Sequence, residues 1–166
     1  TVVMENPYVS GVKEPNYGVY NWDSHAVNCH LFNDARIRFP IYDQVITAMV
    51  EDLHSRGLNK KVLLVVTGEF GRTPKIFKVP NAYKTPGRDH WGAVQTALFA
   101  GGGIQGGTVI GSSDRIGGYP ASAPQRPEDF AATIYHALGL PPQAAWRDES
   151  NRPHYIYHGN PIMELF

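Results

Sequence analysis

Three short stretches of this chain hold the residue types that metal and acid–base chemistry require: Asp23-Ser24-His25, Glu69 with Arg72, and Arg88-Asp89-His90. In an extended segment, residues i and i+2 share a face. Asp23 and His25 can therefore reach one cation, through a carboxylate oxygen and an imidazole nitrogen at the roughly 2.0–2.2 Å distances of a zinc-like ion. Read as a turn, the same pair is an Asp cap beside a solvated His. Glu69 and Arg72 stand among Gly68, Gly71 and Pro74 in a tight polar loop, which serves either a ligand or a Glu–Arg pair that closes a turn. Arg88, Asp89 and His90 are flanked by Gly87 and Gly92. Buried in a core, each of the three would need a partner. Their functional reading makes His90 a metal ligand or acid–base group, with Asp89 or Arg88 behind it or against an anionic substrate oxygen. The alternative is a loop salt bridge.

The elements that position these residues follow from patterning. Val62 to Val66 is an unbroken apolar run between Lys61 and Gly68, the pattern of a strand buried on both faces in a parallel sheet. Glu69 lies just past its carboxyl end, the edge where open α/β sheets bind ligands. A helix is predicted from Phe39-Pro40 to about Arg56, stopped by Gly57, with Ile41, Val45, Ala48, Met49 and Leu53 as its buried stripe. Helix, short turn and buried strand make an α/β unit. Gly101 to Gly107 satisfies Gly-x-Gly-x-x-Gly, but Thr108 to Gly111 reads as a strand where a dinucleotide fingerprint would open a helix. These glycines are expected to serve positive-φ turns and close backbone approach. A second helix is predicted from Arg126-Pro127-Glu128-Asp129 through about Leu138, ended by Gly139, and the tail from Pro141 to Phe166 is apolar enough to pack down.

At 166 residues the chain suits one domain spanning 1–166, large enough to bury roughly 70% of its unfolded surface. Fifteen basic and fifteen acidic residues cancel, and no basic run appears, so neither nucleic acid nor an anionic membrane is an expected partner. Cys29 stands alone and excludes an internal disulfide. The chain opens at Thr1-Val2-Val3-Met4, which suggests a processed product or a piece of something longer.

Taken in order, Trp22-Asp23-Ser24-His25, Gly68-Glu69-Phe70-Gly71-Arg72-Thr73-Pro74, Gly87-Arg88-Asp89-His90-Trp91, the Gly101-to-Gly111 stretch, Arg126 to Gly139 and Pro161-Ile162-Met163-Glu164-Leu165 resemble the carboxyl-terminal part of the domain-of-unknown-function 1501 proteins. That family looks like a branch of the alkaline phosphatase and sulfatase superfamily. The resemblance implies a mostly parallel sheet flanked by helices, incomplete in this chain, and a site for divalent metal. It maps Asp23 and His25 onto the superfamily's ligand pair, Glu69 onto the post-strand ligand and His90 onto the last His. Gly68-Glu69-Phe70 stands where the superfamily has Asp-His-Gly.

The function implied is metal-dependent hydrolysis of phosphate or sulfate esters, with Arg72 or Arg88 clamping the oxygens of a small anionic substrate. Carboxylate and imidazole ligands suit zinc, manganese or iron. The superfamily nucleophile is expected in an amino-terminal segment of the parent protein, because the 22 residues before Asp23 contain no convincing strand and Asp-plus-Ser/Thr turn. Relatives often carry twin-arginine leaders, which implies a periplasmic or secreted location. A second reading is a degenerate member that binds a ligand or partner without turnover. A third treats the polar loops as hydrogen-bonded connectors.

Overall fold

The computed structural model describes residues 30–78 and 85–166, which form a mixed α/β arrangement of helices and small antiparallel sheets. The helix expected from Phe39 begins earlier: α1 runs Leu31–Ser55, with Pro40 inside it. An internal proline removes one backbone donor and crowds the preceding turn, which is why Pro40 reads as a first-turn residue in sequence. The turns before it are held by Asp34 and Arg38, at i and i+4, with Arg38 Nε 2.7 Å from Asp34 Oδ1. Both are buried, at 4% and 1% exposure, while Phe32 and Phe39 face outward. Beyond Pro40 the expected stripe holds for Ile41, Val45, Met49 and Leu53, all half-buried, whereas Ala48 is exposed. Gly57, at φ +66°, ends the helical run, its N–H donating to the His54 carbonyl.

The apolar run forms β1 (Leu63–Val66), but its partner is antiparallel: β4 (Leu98–Gly101), in register Leu63↔Gly101 to Val66↔Leu98. Between them in sequence lie β2 (Gly71–Arg72) and β3 (His90–Trp91); after them come β5 (Ser112–Ser113), β6 (Pro120–Ser122), β7 (Ala145–Arg147) and β8 (Pro153–Tyr155). Among the described residues, every sheet is a two-stranded antiparallel pair: β1–β4, β2–β3, β5–β6 and β7–β8. An apolar run reports how much a strand is covered, not the direction of its neighbour, and β1 is half-buried rather than buried on both faces. Thr108 to Gly111 is not a strand; the pairing starts at Ser112. Gly101 is where the glycine-rich stretch needs its freedom, since at φ +76° it lies against the Val62 carbonyl with no space for a Cβ.

The contacts gather the chain into two compact units. Among the described residues, one holds 30–48, 68–78, 85–96 and 115–119, and the other 49–67, 97–114 and 120–166. The second contains α2 (Pro127–Ala137), with Pro127 in the first helical turn as expected and Asp129 as the organising residue. Its Oδ2 accepts the Arg126 N–H at 3.1 Å and its Oδ1 accepts the Asn160 N–H at 2.9 Å. Thr133 Oγ1 donates to the Asp129 carbonyl at 2.7 Å and accepts the Ile162 N–H at 2.9 Å. These bonds lay the tail along the helix, where Ala132, Tyr157 and Ile162 are buried and Tyr157 stacks on Tyr135 at 5.3 Å.

The Asn160 N–H, the Arg126 side chain and the Arg126 N–H hold the Asp129 carboxyl below its ordinary value. Its contribution to stability is therefore complete above about pH 4 and is lost as pH falls through the lower folded-state value. Asp129→Asn is expected to flatten the acid limb of stability measured by urea unfolding. Asp129→Ala, which leaves the Arg126 and Asn160 N–H groups without this acceptor, should cost about 1–3 kcal/mol at neutral pH. An Asn variant with an unchanged acid limb would refute this role.

Candidate functional site

In the first unit, β2 and β3 bring together the two central motifs of the sequence, pairing Gly71 with Trp91 and Arg72 with His90. The ribbon continues past the strands. Thr73 N–H donates to the Asp89 carbonyl at 2.9 Å, Asp89 N–H donates to Thr73 Oγ1 at 3.1 Å, and Phe77 and Gly87 form a further antiparallel bridge. Gly71 is required at its position: a Cβ there would lie 2.9 Å from the Val94 carbonyl carbon and closer still to its oxygen.

Directly opposite residues in an antiparallel pair share a face, and so do residues i and i+2 along one strand. Phe70, Arg72 and His90 accordingly meet. The His90 imidazole lies on the Phe70 ring, centroids 4.1 Å apart, and the Arg72 guanidinium carbon sits 5.7 Å from the same ring centroid. The His90 N–H donates to Asp89 Oδ1 at 2.7 Å, fixing the backbone from which the imidazole projects. His90 and Glu69 are both exposed, with Glu69 immediately before the phenylalanine that His90 covers. Trp91 fastens the other side of β3: its indole N–H donates to the Gly118 carbonyl at 2.6 Å and its ring meets the edge of Tyr119 at 5.5 Å.

The two arginines expected to clamp a substrate are engaged with the ribbon itself. Arg88 Nε donates to the Thr73 carbonyl at 2.5 Å and Nη2 to the Arg72 carbonyl at 3.1 Å. Arg72 Nη1 donates to the Arg88 carbonyl at 3.3 Å. These reciprocal bonds tie the two motifs together. Of the four expected metal ligands, Glu69 and His90 fall on the described ribbon, while Asp23 and His25 lie outside the described residues. Among the described residues, no group of three or more His, Cys, Asp or Glu side chains converges as a metal site. The donor types suit a borderline metal, but the described ones alone do not complete a coordination set.

Sequence reasoning missed Phe70, Trp91 and the segment 115–119 as parts of this site. The signal for Phe70 was its i−2 spacing from Arg72; for Gly118 and Tyr119 there was none, since nothing in sequence pairs them with Trp91. A second polar cluster, also unforeseen, closes the turn between β7 and β8. Asp148 accepts the N–H groups of Ser150 and Arg152, both at 2.9 Å, and bonds Arg152 Nε at 2.8 Å and His154 Nε2 at 3.0 Å. The His154 bond is the largest cause holding the Asp148 carboxyl below its ordinary value. Every partner is within six residues, which marks a self-contained turn.

A family model described as "Protein of unknown function (DUF1501)" matches residues 10–166. No curated protein and no solved structure matches the chain.

Proposed function

The chain belongs to the DUF1501 family, and from that premise we propose that it forms part of a hydrolase-like domain acting on phosphate or sulfate esters with a divalent metal. The fold we propose for the intact domain is that of the alkaline phosphatase and sulfatase superfamily, its mostly parallel sheet and its nucleophile completed by an amino-terminal segment of the parent protein. The observation that carries the reading is the pairing of β2 with β3, which puts His90 opposite Arg72 and joins the Glu69 loop to the His90 loop. Two stretches chosen for their chemistry and separated by about 15 residues converge on one ribbon.

In this reading His90 and Glu69 supply an imidazole and a carboxylate at the edge of the site. Phe70 and the Asp89 carboxylate fix the His90 ring and backbone. A metal would need Asp23 and His25 as well, because the described residues do not complete a ligand set; no step is assigned to it. A second reading, a non-catalytic member that binds a ligand or partner, is favoured by one observation. The Arg72 and Arg88 guanidiniums bond backbone carbonyls within the ribbon, as structural residues do.

Zinc and manganese affinity of the chain, compared with His25→Ala and His90→Ala, separates the two readings. Stoichiometric binding is expected, weakened at least ~100-fold in either variant, since even residues behind a ligand are worth roughly 10–100-fold in affinity. Binding that is absent, or indifferent to both substitutions, would overturn the metal-dependent reading and leave the non-catalytic one.

A further inference from the structure

We propose that Thr73 is a positioning residue for His90, its hydroxyl fixing the backbone from which the imidazole projects; the assignment takes His90 as a site residue from the ester-hydrolase reading above. Thr73 is 8% exposed and does not face the site. Its side chain stands with Gly71 and Trp91 on the side of the ribbon opposite Phe70, Arg72 and His90. Its effect on His90 therefore passes through the backbone.

Continuing the register of β2 and β3 sets Thr73 opposite Asp89. An antiparallel pair that exchanges both of its bonds would send the Asp89 N–H to the Thr73 carbonyl. That carbonyl accepts the Arg88 Nε at 2.5 Å. The Asp89 N–H goes instead to Thr73 Oγ1 at 3.1 Å, while the Thr73 N–H keeps its bond to the Asp89 carbonyl at 2.9 Å. The hydroxyl donates its own proton to the Lys75 carbonyl at 2.9 Å, which leaves an oxygen lone pair for the Asp89 N–H. One hydroxyl thus closes the pair next to Arg72 and His90 and frees the Thr73 carbonyl for the Arg88 tie. From Asp89 the link to His90 is direct, since Asp89 Oδ1 accepts the His90 N–H at 2.7 Å. Without the hydroxyl, the Asp89 N–H must compete with Arg88 for the Thr73 carbonyl or turn to water. Either outcome displaces Asp89, and His90 with it.

The test reads His90 directly, in histidine ring NMR spectra of the full 166-residue chain at about pH 8.5, where an ordinary imidazole is neutral. The His90 signals are those lost in His90→Ala, and the ring current of Phe70, 4.1 Å away, displaces them by an amount that Phe70→Leu measures. Thr73→Val keeps the shape and removes the hydroxyl. It is expected to move the His90 signals more than halfway to their positions in Phe70→Leu and to weaken zinc binding about 10-fold, the lower end of what residues behind a ligand contribute. Thr73→Ser keeps the hydroxyl and should restore both. Asp89→Ala, at an exposed position, breaks the next link and should move the same signals in a chain that folds. Thr133→Val is the control for stability alone: it too removes a buried hydroxyl that accepts a backbone N–H, that of Ile162. It should lower the melting temperature and leave the His90 signals and zinc affinity as in wild type. His90 signals that stay in place in Thr73→Val or Asp89→Ala, or that move as far in Thr133→Val, would overturn the assignment. So would a Thr73→Ser variant that behaves as Thr73→Val does. If wild type binds no zinc, the metal-dependent reading falls by itself and the His90 signals alone decide the role of Thr73.

Discussion

Gly71→Ala is expected to break the β2–β3 ribbon and, with it, any ligand binding that depends on His90. The new Cβ would meet the backbone of Val94, its carbonyl carbon at 2.9 Å and its oxygen nearer. Backbone cannot rotate away as a side chain does, so either β2 shifts or the segment after Trp91 moves. Overpacking of this kind costs about 1–3 kcal/mol and more where the neighbour is fixed; about 3 kcal/mol is expected here. Because Arg72 pairs with His90 one residue further along, the displacement propagates to the stack of His90 on Phe70. Gly92→Ala is the control, since nothing lies within 4 Å of a Cβ at that position. That variant should stay within about 0.5 kcal/mol of wild type. Urea unfolding followed by tryptophan fluorescence reads both. Equal stability of the two variants would mean that the close approach of Gly71 to Val94 is not a feature of the folded chain.

Asp34→Ala is expected to be at least as damaging, although Asp34 lies far from Glu69 and His90 in sequence. The carboxylate faces Arg38, with Nε at 2.7 Å and Nη2 at 2.5 Å, and the side chains are 5% and 1% exposed. Taking one partner from a buried ion pair costs about 3–5 kcal/mol, because the remaining charge keeps its desolvation penalty and loses that partner's share of the compensation. The same substitution at Asp52, whose Arg56 partner is at the same i+4 spacing but lies in solvent, should cost no more than about 0.5 kcal/mol. The contrast isolates burial from spacing. Asp34→Leu/Arg38→Met, which removes both charges and keeps the volume, should be less destabilising than Asp34→Ala. A mild Asp34→Ala, within about 0.5 kcal/mol, would show that the pair is not buried in solution.

Local chemistry made much of the chain legible in advance. Pro127 with Glu128 and Asp129 behind it, and Gly139 at the far end, placed α2 within a residue of its limits, because capping and the helix dipole act over one turn and are written in adjacent residues. Gly57 ended α1 for the same reason. The polar runs around Glu69 and His90 could be singled out because their charged residues, packed between glycines, do not suit a core. The ligand set could not be closed from sequence, and Asp23 and His25 lie outside the described residues.

Other features depend on neighbours remote in sequence, and only the tertiary structure decided them. The start of α1 was hidden because Pro40 is a local stop signal, outweighed by a buried Asp34–Arg38 pair whose burial no i+4 spacing can report. The antiparallel partner of β1 was hidden because an apolar run carries no information on strand direction. Arg72 and Arg88 could be named in advance for the fit of a guanidinium to an oxyanion; that each also donates to the backbone of the other's loop was set by the pairing of the two loops. Trp91 and Gly118, 27 residues apart, could be joined only by folding. What the sequence determined was which residues are chemically able and where local turns begin and end. Which of those residues meet was decided by long-range pairing, since its free energy resides in contacts that do not exist until the chain has folded.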